Sequence, residues 1–523
     1  MKRVVSVFFC LIFSLSALML RLYSLSTSGV VRSAGTGSTL TVEVASGRGF
    51  LYDRIGLPFV NTRAQTVAAA APLAQTMQVL REACTPEDFS EARFRLEKGL
   101  PAVVPLLRDA AGEGIFTVRR PIRYAEPFLI EHLAGYCDST GHGVCGLEKS
   151  FDALLGTRSC TVTYDVDATG RVLCGGNTRL SDGGLWSPRG VQLTLEKRLQ
   201  AAVREAMLSS RIRKGAAVLL DAQTSDILAM VSLPEWDAAH PENSLRDKDS
   251  PFLNRALNPV SVGSVYKIIV AAAALENGVP ETFRYTCTGE TVQDGVTFHC
   301  HLHAGHGAQN MAQAMANSCN PWFIHAARQI PIDAILDLSW RLGLGSSVTL
   351  ADDIVCGAGV LPDSAELQSD AARANIAFGQ GRLTAAPLQI AAATAACVNG
   401  GIYHEPRLIC ALYDDQGRRT QTELSAGERV LRSDTSDTVR ELLVYAAAQT
   451  ERLTFKDCGG KTATAQSGFY RDGVEQLNTW YSGFFPARQP QYVLTVFCED
   501  GDSGASDCLP VFGKIAQEIC KNP

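Results

Sequence analysis

Ser264 stands three residues before Lys267 in "SVGSVYKIIV", at the start of a helical run. On a helix, residues i and i+3 share a face, so this hydroxyl and this amine can meet. A serine oxygen becomes a nucleophile when a base takes its proton, and a lysine serves only while neutral. Burial, or a neighbouring cation, lowers a lysine's pKa and supplies that form. The run that follows, "KIIVAAAALENG", is almost wholly apolar, so its helix should be buried on most faces. A helix start also favours negative charge on the serine oxygen, and Gly263 lets a substrate approach the backbone closely. The plain alternative is a capping serine beside a surface lysine.

Two further stretches carry matching chemistry. In "MANSCNPWF", Ser318 and Asn320 are too close in sequence to share a helix face. Pro321 suits the first position of a new helix, so 318–320 reads as an interhelical loop presenting both side chains on one side. In "GGKTATAQSG", small residues flank Lys461 and alternate with hydroxyls on an expected strand. A peptide can lie against such an edge by β-addition, with Lys461, Thr462 and Thr464 holding a carboxylate. An ordinary interhelical turn and a Gly-rich edge strand are the respective alternatives.

The elements that must position these groups are legible along the chain. "GAAVLLDAQTSDILAMVSLP" reads as two apolar strands around a turn, and "GGKTATAQSG", "NTWYSGFFP" and "QYVLTVFCEDG" return as three more. Strands at both ends of a helical segment predict one antiparallel sheet with a helical insertion, an α+β fold. The segment 264–345 is expected to be mostly helical, and the Ala-rich stretch 64–112 likewise. Turns in "SDGGLWSPRG" mark a boundary. The expected organisation is a signal-anchor helix over 1–25, a mixed domain over 26–190 and a catalytic domain over 191–523. The apolar run Val4–Leu20, behind Lys2 and Arg3, reaches roughly 25 Å as a helix and predicts a single-pass membrane protein with its bulk outside the cytoplasm; a cleaved signal peptide is the rival reading, and it too exports the bulk of the chain.

The chain has 523 residues, 46% of them hydrophobic, and a net charge of −6, which argues against a nucleic-acid partner. It has no Walker loop or dinucleotide fingerprint, so no cofactor is expected.

SxxK, SxN and KT[GA]T in this order form the motif set of penicillin-binding proteins and serine β-lactamases. "RGFLYDRIG", "HLAGY" with "GVCGLEKSFDALLG", and "FGQGRLTAAPLQIAAATAACVNGG" resemble the monofunctional, class B penicillin-binding proteins over nearly the whole chain. The resemblance implies a pedestal (dimerisation-type) domain, a transpeptidase domain and a peptidoglycan D,D-transpeptidase that also binds β-lactams covalently. It implies Ser264 as nucleophile, Lys267 as base, Ser318 as proton relay to the leaving amine and Asn320 as a hold on the substrate amide. Lys461 would supply positive charge, Thr462 and Thr464 would bind the terminal carboxylate, and the N–H groups of Ser264 and Thr464 would form the oxyanion hole. Partners implied are peptidoglycan stem peptides, the membrane and a SEDS-type glycosyltransferase.

Ala463 departs from the pattern, which has glycine there. A methyl against the acyl donor would cost roughly 1–3 kcal/mol, or about 5- to 150-fold in rate. In "CTGETVQDGVTFHCHLHAGHG", Cys287, Cys300 and His306 are candidate ligands of a structural zinc ion; a Cys287–Cys300 disulfide and free thiols under a polar loop are the alternatives. Other short-range pairs among the sixteen cysteines are Cys137–Cys145, Cys160–Cys174 and Cys498–Cys508. A membrane-tethered β-lactamase or β-lactam sensor would share Ser264 and Lys267, but an ExxLN-like deacylating loop is missing. A largely non-catalytic scaffold is the third reading.

Overall fold

The computed structural model describes residues 14–16, 18–19, 38–173 and 175–521. The expected anchor over 1–25 lies outside them but for five residues, 14–16 and 18–19. No helix among the described residues is long and apolar enough to cross a membrane.

Two compact units emerge: one holds residues up to 49, 61–125 and 157–187, the other 50–60, 126–156 and everything from 188 on. The expected single domain over 26–190 is therefore corrected. The stretches 50–60 and 126–156 fold with the second unit, where they make long-range hydrogen bonds. Phe50–Tyr52 pairs in parallel with Gly190–Leu193, and Asp353 accepts from Gly146 N and Lys149 Nζ.

In the first unit, strand Arg63–Ala70 lies between Ala102–Pro105 and Ile115–Ile122. A helical reading of its alanines is overturned. Ala68 and Ala70 face one apolar cluster, with Leu80 and Leu96, while Val67 and Ala69 face another, with Tyr164. A strand covered on both faces reads as a continuous apolar run, which propensity alone assigns to helix.

The second unit is built on a five-stranded antiparallel sheet in the order Ile227–Leu233, Gly215–Asp221, Tyr492–Cys498, Val474–Phe485 and Gly459–Arg471. Helices Lys197–Leu208 and Cys508–Lys521 cover one face, through Val203, Met207, Phe512 and Ile515 against Leu219, Tyr481 and Phe485. Helix Pro387–Val398, buried along its whole length, covers the other face, where Thr394 Oγ1 meets Ser482 Oγ at 2.8 Å. Helix Lys267–Glu276 is buried from Lys267 to Ala274. The α+β expectation and the paired C-terminal strands agree with this architecture. The stretch 285–309 does not follow the helical expectation: Tyr285–Cys287 pairs with Gly307–Gln309, and Glu290–Gln293 with Val296–His299.

The proposed disulfides are also corrected. Cys145, Cys160, Cys287, Cys300, Cys498 and Cys508 form no disulfide, which removes each candidate bridge, and Cys174 lies outside the described residues. Most described cysteines are buried, as small apolar residues tend to be.

Candidate active site

Ser264 lies in a 3₁₀ turn, Gly263–Tyr266, that runs directly into the helix beginning at Lys267. In 3₁₀ geometry positions i and i+3 stack one above the other, which aligns Ser264 with Lys267 more closely than an α-helix would. The turn depends on two glycines. Gly263 has φ +65°, and a Cβ there would lie 2.9 Å from the Cβ of Ala465. Gly379, at φ +79°, accepts from Gly263 N at 2.9 Å, and a Cβ on it would stand 2.0 Å from the Gly263 carbonyl oxygen. The first glycine seats the turn against the strand Gly459–Arg471; the second ties it to the "FGQG" segment.

Lys267 is fully buried, with its Nζ donating to Ser318 O at 2.7 Å, Ser318 Oγ at 3.2 Å and Asn320 Oδ1 at 2.7 Å. Its ammonium also stands 5.3 Å from the Phe323 ring centroid. Burial, reinforced by the charge of Lys461, holds Lys267 well below the usual lysine range. A neutral amine keeps two N–H groups, enough for the two carbonyl oxygens at 2.7 Å, and its lone pair is then free to take a hydroxyl proton.

Ser318 sits between helices Met311–Ala316 and Asn320–Ala327 with φ +49°, a left-handed conformation that a serine adopts only when its surroundings impose it. That conformation turns both its carbonyl and its hydroxyl toward Lys267. Asn320 spans two partners, receiving Lys267 on Oδ1 and donating from Nδ2 to His299 O at 3.1 Å.

Lys461, 3% exposed, donates to Thr462 O at 2.9 Å, and burial pushes its pKa down to about 7. Strand alternation sends Lys461, Ala463 and Ala465 to a buried face and leaves Thr462 and Thr464 more accessible on the other. Alternate residues also point their N–H and C=O to the same side, so the Thr464 N–H shares the side of the Thr462 carbonyl. The strand is the sheet edge, open to an added peptide. Ala463, 4% exposed, sits in the Lys461 row rather than beside the Thr462 and Thr464 hydroxyls.

The three sequence stretches thus converge: the second binds Lys267, the third lowers its pKa by charge, and the nucleophile turn packs on the third. Sequence reading missed Phe323 beneath Lys267, and Cys319 within 4.8 Å of the Cys287, Cys300 and His306 ligand atoms. The latter signal was present in "SCN" but was read only for its serine and asparagine.

Known proteins resemble this chain in sequence and in fold. The model of the penicillin binding protein transpeptidase domain matches residues 215–521, more than half of the chain. Penicillin-binding protein PbpB of Mycolicibacterium smegmatis is 29% identical over 447 residues, covering 80% of this chain and 67% of that protein. Peptidoglycan D,D-transpeptidase FtsI of Escherichia coli is 27% identical over 418 residues, covering 75% and 66%. The chain thus spans about two thirds of the length of these two relatives. The fold also matches a solved structure, described as the structural coordination of polymerization and crosslinking by a peptidoglycan synthase complex. There the TM-score is 0.67 at 24% identity, over 98% of this chain and 97% of the other.

Proposed function

The chain belongs to the penicillin-binding protein transpeptidase family, and we propose that its cleft joins peptidoglycan stem peptides through an ester on Ser264. It is a serine-type D,D-transpeptidase, acting by acyl transfer and acylated by β-lactams in place of the peptide donor. The observation that carries the assignment of residues is the buried Lys267 amine, bonded to Ser318 and Asn320 and one 3₁₀ turn from Ser264.

In this reading Ser264 Oγ attacks the carbonyl carbon of the penultimate D-alanine while its proton passes to neutral Lys267. The N–H groups of Ser264 and Thr464 hold the oxyanion, each such donor contributing about 3–4 kcal/mol. The C–N bond then breaks, and the proton moves through Ser318 to the leaving amine, releasing D-alanine. Lys461 supplies positive charge from the buried face of the strand, the hydroxyls of Thr462 and Thr464 help bind the terminal carboxylate, and Asn320 holds the substrate amide. An amine of a neighbouring stem attacks the ester, its proton returns to Ser264 Oγ, and the cross-link is made. Residues 1–25 anchor the chain in the cell membrane with the catalytic unit outside. Glycan strands come from a SEDS-type polymerase, a pairing supported by the fold's likeness to a chain of a synthase complex. The first compact unit serves as the pedestal.

Incubating the full chain and that polymerase with lipid-linked precursor should yield dimeric muropeptides and free D-alanine, both suppressed by penicillin. Glycan without dimers would overturn the reading in favour of a scaffold; rapid release of hydrolysed penicillin would favour a β-lactamase.

Acylation should also depend on pH in a set direction. Lys267 must be neutral to act as base, so the rate rises as pH passes its lowered pKa. Lys461 must be charged to attract the carboxylate, so binding weakens above about 7. The second-order rate of penicillin acylation is therefore expected to fall on the alkaline side of about 7, and Lys461→Arg, whose charge does not titrate, should extend that side. A rate that climbs steadily to the ordinary lysine range would contradict both assignments.

A further inference from the structure

We propose that Cys287, Cys300, His306 and Cys319 bind one zinc-class dication, and that this ion splints the hairpin region 285–309 to the loop bearing Ser318 and Asn320. The four ligand atoms all lie within 4.8 Å of one another, three of the residues are buried, and His306 Nδ1 stands 3.4 Å from Cys300 Sγ. A tetrahedral zinc site of three sulfurs and one nitrogen, with Zn–S near 2.3 Å and Zn–N near 2.0 Å, has edges of roughly 3.5–3.8 Å. Small side-chain rotations therefore close the cluster. Three thiolates and one imidazole favour zinc over hard cations such as magnesium or calcium. Each thiol that ligates gives its proton to solvent, so three thiolates and a neutral imidazole leave the occupied site with one net negative charge.

The surrounding structure gives the ion a task. Region 285–309 has strands of three or four residues, and its Val292, Val296 and Leu302 are exposed. Phe298 is the large apolar side chain it buries, alongside Cys287 and Cys300. Substructures with so little core are commonly held by a metal or a disulfide, and these thiols are free. Cys319, the fourth ligand, lies between the two residues that bond Lys267. Asn320 also donates to His299 O, one residue before Cys300. The region and the catalytic loop are thus joined by hydrogen bonds, Asn320 Nδ2 to His299 O and Asn317 Nδ2 to Gln309 Oε1 at 2.6 Å, to which the ion would add a bridge through Cys319. The ion would fix the orientation of Ser318 and Asn320 without touching substrate, which makes its ligands positioning residues.

The test uses the full chain, purified in detergent under reducing conditions with zinc present. Elemental analysis should find about one zinc per chain, and cobalt exchanged into the site should give the intense visible bands of tetrahedral sulfur coordination. Cys287→Ser and His306→Gln, both on the hairpin rather than the catalytic loop, should each lose the metal. Removing zinc with a chelator should slow penicillin acylation by about 10- to 100-fold, the usual scale for supporting groups, with recovery on adding zinc back. Metal at trace level with four unmodified ligands, or a disulfide among the three cysteines, would overturn the site. Full metal with acylation indifferent to its removal would overturn the splint. Stoichiometry and the cobalt spectrum do not depend on acylation, so failure of the catalytic reading would remain distinguishable from failure of this one.

Discussion

Ser264→Ala is expected to lose covalent penicillin labelling by at least about 10⁴-fold, the scale of nucleophile removal in serine acyl enzymes. The fold should survive. The turn holding Ser264 is fixed by the Gly263 N to Gly379 O hydrogen bond and by packing on Ala465, neither of which uses the serine hydroxyl. Its stability should stay within about 1 kcal/mol of the parent, since no core group is removed. In-gel fluorescence with a labelled penicillin, paired with a melting curve, reads both quantities. A folded variant that labels like the parent would remove Ser264 from the chemistry.

Lys267→Ala should slow acylation by about 10³-fold, within the range for loss of a general base. Lys267→Arg should be equally slow, because a guanidinium keeps its proton. The stability effect has two opposed parts. Alanine leaves Ser318 O and Asn320 Oδ1 without their buried donor, at about 1–3 kcal/mol each, but it also removes an amine that is costly to bury. The folded pKa of Lys267 is depressed, so this cost is fully present below that pKa and fades as pH rises toward the unfolded value of 10.5. The parent should therefore gain stability on the alanine variant as pH climbs through that window. Stopped-flow acylation and denaturant melts across pH check the two halves; equal pH dependence in both proteins would contradict the buried, depressed lysine.

The catalytic constellation was readable because its chemistry sits in local spacing. An i, i+3 pair before an apolar helix and a small-residue strand around Lys461 state their own geometry. The sheet was readable where periodicity is strong, as in Gly215–Asp221 and Ile227–Leu233. Where burial on both faces erased alternation, as at Arg63–Ala70, alanine misled the reading toward helix. Long-range partnerships were silent. Nothing local tells that residues 126–156 pair with a distant unit, or that Ala463 shares its row with Lys461. Cys319 was hidden for a different reason: its neighbours carry a catalytic motif, and its own partners lie thirteen and more residues upstream.

The central claim is that the Ser264 oxygen is the atom acylated, with Lys267 as its base. Peptide mapping by mass spectrometry after penicillin treatment of the parent chain tests it most directly. The expected result is one adduct per chain, confined to the peptide bearing Ser264 and fragmenting at that residue. An adduct on Ser318 or elsewhere, or no adduct on a folded chain, would contradict it.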